Sequence, residues 1–511
     1  MASRRKLKKN VNLCTLKSYN DIISCERRRY EMKKINGIIM QYFEWYLRPE
    51  NKLWNKAIAN AQYLSAIGIT DVWFPPAYKG AGGKYDVGYS AYDLYDLGEF
   101  DQQGSIATKY GTKDEYLEAI QVLKQAGIES YADIVLNHKM GADFLQIIKA
   151  NKVEWANHNV EISQNETLQA ATKFTFPNRK NKYSNFKWNW THFDGIDYNN
   201  ATGEHSIFKF KDKQWQNEVD DENGNYDYLM GADLDFYNPE VVEECKNWGK
   251  WYMDFTDVDG FRLDAVKHIP SSFYNEWMKY LKEYKKRNIF AVGEYWTGDV
   301  QKLHRYITET EGQISLFDVP LHYNFYTASQ DPNYDMSRLL DNTLLKENPL
   351  KAVTFVDNHD TQPGQALQSF IEPWFKQIAY SIILLKNDGY PCVFYGDYYG
   401  IPYSNIEKMD KLEDLMILRK DKAYGLEHDY FDHDSVIGFT REGDDEHIKS
   451  GLAVIASNKI DGEKRMYIGE KFAGETFIDA LGNFEEEVTI DEDGCGVFKV
   501  KNRTVSVWVE K

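Results

Sequence analysis

Cysteine is scarce, with five residues in 511 at Cys14, Cys25, Cys245, Cys392 and Cys495. They are odd in number and scattered, and no two have metal-ligand spacing. Neither a disulfide framework nor a thiolate metal site is expected. Long apolar runs are missing too: none approaches the roughly 20 residues a membrane helix needs, which excludes a helical span. Nor is there an apolar leader. Residues 1–34 carry 11 basic and 3 acidic side chains around nothing more apolar than Asp21-Ile22-Ile23-Ser24. The expected location is therefore the cytoplasm, with secretion as the alternative if the native N-terminus is missing. Positive charge is also short, with 61 Lys and Arg against 79 Asp and Glu, a net of −18. That balance argues against nucleic acid or an anionic membrane as a partner, and the basic N-terminus has no interleaved aromatics for stacking bases.

What is present is a large globular composition. Hydrophobic residues make up 42%, and the length suggests about three domains at roughly 150 residues each. Eight short apolar runs read as strands: Gly37–Phe43, Thr70–Phe74, Ser130–Leu136, Gly260–Leu263, Ile289–Val292, Ile314–Phe317, Val353–Val356 and Cys392–Tyr395. Amphipathic stretches alternate with them. Tyr116, Ile120 and Leu123 form one helical stripe stopped by Gly127, and Trp248, Tyr252 and Phe255 form another. The pattern predicts an α/β fold, a (β/α)8 TIM barrel. From Asn137 to Asp264 is 127 residues, too long for one unit, so a β-rich, irregular domain is inserted after strand 3. Beyond about residue 425, short strands with Gly and Asp turns predict an antiparallel β-sandwich. The expected organisation is a basic extension (1–34), a barrel (35–138 and 240–425), an inserted domain (139–239) and a C-terminal domain (426–511).

Asp264, Glu294 and Asp357 each stand just past a predicted strand, 30 and then 63 residues apart, about one and two β/α units. They share one phase of the repeat, at the barrel rim where chemistry is done. Arg262 and Asp264 are two apart on a strand and project together, and a guanidinium keeps its neighbour ionised, as a nucleophile requires. Glu294 precedes Tyr295 and Trp296, an apolar setting that favours a neutral general acid. Helix caps or ion pairs would explain any one of these acids alone. Three in phase, with His138 and His359 beside them, point to glycosidic chemistry. A second constellation is all oxygen: Asn137, Asp194, Asp227, Asp233 and Asp235. Without thiols or paired histidines it suits a hard cation such as calcium rather than zinc, and a solvated acidic loop is the competing reading.

At these residues the chain resembles the alpha-amylase family of glycoside hydrolases, and most closely the bacterial liquefying type. Four motifs appear in order: Asp133-Ile134-Val135-Leu136-Asn137-His138, Gly260-Phe261-Arg262-Leu263-Asp264-Ala265-Val266-Lys267-His268, Val292-Gly293-Glu294-Tyr295-Trp296, and Phe355-Val356-Asp357-Asn358-His359-Asp360. The resemblance runs from about Asn36 to the C-terminus and includes Met40-Gln41-Tyr42-Phe43-Glu44-Trp45-Tyr46. It implies an endo-acting, retaining hydrolase of α-1,4-glucans such as starch, glycogen or maltodextrin, acting as a monomer. By it Asp264 is the nucleophile, Glu294 the acid/base and Asp357 the group that grips sugar hydroxyls in the transition state. Arg262, His138, His359 and Tyr89 line the pocket of the sugar being cleaved; Lys267, His268 and Trp296 meet the sugar beyond the cut. A structural calcium is implied at Asn137, Asp227, Asp233 and the carbonyl of His268, with Asp194 and Asp235 close by. Gln216 and Tyr237 stand where relatives with several metals carry aspartates, so one calcium is expected. Alternatives on the same frame are a 4-alpha-glucanotransferase, which passes the glucosyl group to another sugar, and a carbohydrate-binding protein without chemistry.

Overall fold

The computed structural model describes residues 36–511; the expected extension 1–34, with Cys14 and Cys25, lies outside the described residues. Eight strands close into a barrel: β1 (Ile39–Gln41), β2 (Asp71–Phe74), β3 (Glu129–Ile134), β4 (Gly260–Leu263), β5 (Phe290–Gly293), β6 (Ser315–Phe317), β7 (Ala352–Phe355) and β8 (Tyr390–Phe394). Every neighbouring pair is parallel, and β1 closes the ring against β8 with Ile39 opposite Cys392. Both faces of these strands are covered, which is why they read as short apolar runs rather than alternating ones. Each expected strand is present, shifted by no more than about two residues at most ends.

The helices between them form for local reasons. α1 (Leu53–Ala66) is followed by α2 (Lys113–Gln125), which starts at a capping box: Thr112 N–H donates to Glu115 Oε2 at 2.7 Å, and the Thr112 hydroxyl accepts from the Glu115 amide. Tyr116, Ile120 and Leu123 are its buried stripe, and Gly127 beyond its end has φ +81°. α3 (Pro239–Thr256) places Pro239 in its first turn and buries Trp248 and Tyr252, while Phe255 is half-buried. α4 (Ser271–Lys285), α5 (Val300–Glu309), α6 (Val319–Gln330) and α7 (Pro373–Leu385) follow.

Between β3 and α3 lies the insertion. It is β-rich as expected and more regular than expected: a six-stranded sheet in the order His138–Lys139, Ala232–Leu234, Phe193–Asn199, Glu204–Phe210, Phe144–Glu154, Asn157–Lys173. After the barrel, Glu427–Tyr430, Val436–Arg441, Leu452–Ser457, Thr504–Glu510, Thr476–Asp479 and Val488–Thr489 make a second six-stranded antiparallel sheet. The two-stranded antiparallel sheet of Gly462–Tyr467 and Cys495–Val500 packs with it, enclosing Ile455, Met466, Phe477, Phe498 and Trp508. This is a C-terminal β-sandwich. No helix among the described residues is long and apolar enough to cross a membrane.

Candidate active site

The register of β3, β4 and β5 assembles the rim. Arg262 on β4 lies opposite Asp133 on β3 and Val292 on β5. One residue past the strands, the Asp264 amide donates to the carbonyl of Ile134 and the Glu294 amide to that of Leu263, both at 2.9 Å. The ladder thus carries both acids to one level. Arg262 is buried among them. Its Nη1 reaches Asp133 Oδ1 at 2.9 Å and Asp264 Oδ1 at 2.6 Å, and its Nη2 reaches Glu294 Oε2 at 3.3 Å. Two potential reacting carboxyls therefore sit on the two arms of one guanidinium.

Glu294 is nonetheless pushed up to about 7, by burial first and then by the charge of Asp264, while Arg262 pulls the other way. A second hold comes from the backbone. Ala265 takes φ +48°, an uncommon left-handed conformation for a residue with a side chain, and its N–H donates to Glu294 Oε2 at 2.9 Å. Asp357, past β7, is buried and raised, by burial against the opposing charge of Lys376. Lys376 Nζ lies 2.9 Å from its Oδ2, and the Thr361 hydroxyl donates to its Oδ1 at 3.0 Å.

The other expected sugar-binding residues surround this set. Tyr89 donates to Asp133 Oδ2 at 2.8 Å and stacks on His359, ring centres 5.1 Å apart. His359 Nδ1 lies 3.0 Å from Gln41 Nε2, and burial holds its ring well below the usual histidine range. His138 Nε2 donates to the Tyr89 carbonyl at 2.9 Å, and its buried Nδ1 has no partner. Lys267 Nζ bonds Glu222 at 2.8 Å and the Trp296 carbonyl at 3.3 Å, and Trp296 Nε1 donates to Tyr323 at 2.8 Å. His268 is driven down to about 3 by burial, with Nδ1 2.6 Å from the Tyr226 carbonyl.

The sequence motifs assign no role to four side chains at the site. Asp133 pins Arg262 and also accepts from Trp73 Nε1 at 3.0 Å. Lys376 on α7 ties Asp357 to Asp397. Asp360, 3.2 Å from His359 Nε2, is pushed up to about 8 by burial and by Glu294. Trp45 continues the aromatic stack, 5.9 Å from both Tyr89 and His359. For Asp133 there was a signal: a carboxylate within an apolar strand must find a partner.

The second constellation gathers at the root of the insertion. Asp194, Asp227 and Asp233 are buried and bring carboxylate oxygens within 4.8 Å of one another. Asn137 Nδ2 donates to Asp233 Oδ1 at 3.0 Å, and the Gln216 amide N–H to Asp227 Oδ2 at 2.8 Å. Oxygens Asp194 Oδ1, Asp227 Oδ1 and Asp233 Oδ2 are buried without a partner. Burial raises all three acids; the charge of Asp235 adds to the rise of Asp194, to about 7, and the charge of Asp194 adds to that of Asp227 and Asp233. Orphaned, converging, anionic oxygens fit a hard divalent cation. Asp235 is not among them: it pairs with Lys213 and accepts from the Tyr237 amide at 2.9 Å. Gln216 Nε2 donates to Asp194 Oδ2.

Comparison with known proteins identifies the family of the chain. The family described as "Alpha amylase, catalytic domain" matches residues 54–444, and "Alpha-amylase C-terminal" matches 452–509. An alpha-amylase of Geobacillus stearothermophilus is 54% identical over 480 residues, 93% of this chain and 87% of that protein. A cytoplasmic alpha-amylase of Escherichia coli (strain K12) is 44% identical over 492 residues, 93% of this chain and 99% of that one. Among solved structures, an Anoxybacillus alpha-amylase superposes with a TM-score of 0.63 at 20% identity, covering 93% of this chain and 98% of its own, a likeness of fold.

Proposed function

The chain belongs to the alpha-amylase family, and from that premise we propose that it cuts internal α-1,4-glucosidic bonds of starch, glycogen or maltodextrin with retention of configuration. The observation that carries the mechanism is the shared guanidinium, which holds Asp264 and Glu294 side by side while burial favours a protonated Glu294. Retention requires two carboxyls about 5–5.5 Å apart, one charged and one neutral. In the first step Glu294 gives its proton to the glycosidic oxygen as Asp264 attacks the anomeric carbon; the C–O bond breaks and a glucosyl ester forms. In the second, Glu294 takes a proton from water, the hydroxyl adds to the anomeric carbon, and Asp264 leaves as carboxylate. Asp357, clamped by Lys376 and Thr361, accepts hydrogen bonds from ring hydroxyls of the distorted sugar. Tyr89, His138 and His359 wall that sugar's pocket, and Lys267, His268 and Trp296 take the sugar beyond the cut.

The cation we assign is calcium, which Asp194, Asp227 and Asp233 would hold, with Asn137 and the His268 carbonyl as the further ligands the resemblance implies. Bound there, it supplies the charge that ties the insertion to the barrel, a structural role. The working location is the cytoplasm. The relative named cytoplasmic supports this, as do Cys245, Cys392 and Cys495, all free thiols.

Product analysis on end-blocked maltoheptaose tests the reading. Cleavage to shorter sugars, lost in Asp264→Asn, is the expected result. Products longer than the starting sugar would assign the site to glucanotransfer instead.

A further inference from the structure

One aromatic pair on the rim is absorbed by no part of this mechanism. Tyr46 stacks on Tyr403, ring centres 4.2 Å apart and planes 25° from parallel. Tyr403 is 73% exposed, so its ring offers a flat apolar face to solvent. The pair is built rather than incidental. The Tyr46 hydroxyl donates to the Pro363 carbonyl at 2.9 Å and accepts from Gln365 Nε2 at 3.0 Å. Gly364 lies so close that a Cβ there would meet the Tyr46 oxygen at 2.4 Å, and its φ is +88°. Tyr46 follows directly in the chain on Trp45, whose ring stacks on Tyr89 and His359.

Its place on the rim gives it a side. Tyr46 follows β1, Gln365 follows β7 and Tyr403 follows β8, whereas Lys267 and Trp296 follow β4 and β5. In the ring order β1 and β8 stand across the barrel from β4 and β5. We propose that Tyr46 and Tyr403 form a distal sugar-binding platform, which receives an α-1,4-glucan chain on the non-reducing side of the cut. A pyranose lays its C–H face on an aromatic ring and its hydroxyls against neighbouring amides, and Gln365 provides such an amide. The inference rests on the reading of Asp264 and Glu294 as the cleavage point.

Steady-state kinetics on amylose and on a blocked maltotrioside, too short to reach the platform, separate the possibilities. Tyr403→Ala is expected to raise KM for amylose by about fivefold with kcat unchanged, as loss of one aromatic contact predicts. The trioside kinetics stay unchanged, and Tyr403→Trp restores the amylose KM. Calorimetric binding of maltodecaose to Glu294→Gln, with and without Tyr403→Ala, should weaken by the same factor. Unmoved amylose KM and maltodecaose affinity, or equal losses on long and short substrates, would overturn the platform. Were the wild type to cleave no α-glucan, the hydrolase reading would fall, while the maltodecaose comparison would still decide the platform.

Discussion

At the barrel rim Asp133, Asp264 and Glu294 share the guanidinium of Arg262, whereas Asp194, Asp227 and Asp233 in the insertion share no Lys or Arg among the described residues. Each group is buried, and burying charge is costly unless it is paired. The rim carries its own counter-cation, so its geometry does not depend on what the solution contains. The insertion cluster has three orphaned oxygens, and its nearby Lys213 is engaged by Asp235. It must take protons or an external cation. Chemistry and the attachment of the insertion are therefore electrostatically separable, and that separation can be broken from either side.

The largest effect belongs to the rim. Glu294→Gln is expected to lower kcat by about 10,000-fold, the upper range for a general acid, with an unchanged unfolding midpoint. In the wild type, activity should fall as pH rises through about 7, where Glu294 loses its proton. Next comes Arg262→Met, which leaves three carboxylates facing one another. Urea unfolding should show a loss of about 3–5 kcal/mol, the cost of stranding buried charge.

On the other side, chelation converts the insertion cluster into a pH-dependent liability. Asp194 is raised from 3.8 to about 7, and Asp227 and Asp233 are raised with it. The metal-free folded protein thus holds protons that the unfolded chain releases. That contribution to stability is complete below about pH 4 and is lost as pH rises through about 7. The Tm of the chelated protein should therefore fall between pH 5 and pH 8, and added calcium should remove the fall. The smallest expected effect is Lys213→Met, about 1 kcal/mol by urea unfolding, because that pair is partly exposed.

The barrel was legible because strands covered on both faces stand out as short apolar runs between turn residues. The three acids were legible because a regular β/α unit puts strand ends at a regular spacing. Asp133 opens the first of the four motifs, yet its partnership with Arg262 is a matter of parallel register, which no local pattern records. Lys376 is farther still: it reaches Asp357 from α7, where it reads as a lone charge on a mostly apolar helix. The long hairpin Phe144–Glu154 and Asn157–Lys173 was hidden for the opposite reason. Phe144 and Ile147 are exposed, so its strands carry no clean alternation. Glu427–Tyr430 and Val488–Thr489 end their sheet as edge strands with little apolar content.

The most direct test of the separation is calcium titration into chelated protein, read as ions bound per chain and as Tm. One ion and a higher Tm are expected in both the wild type and Glu294→Gln, with both lost in Asp227→Asn. Equal binding and an equal rise in Asp227→Asn, or their loss in Glu294→Gln, would contradict that separation.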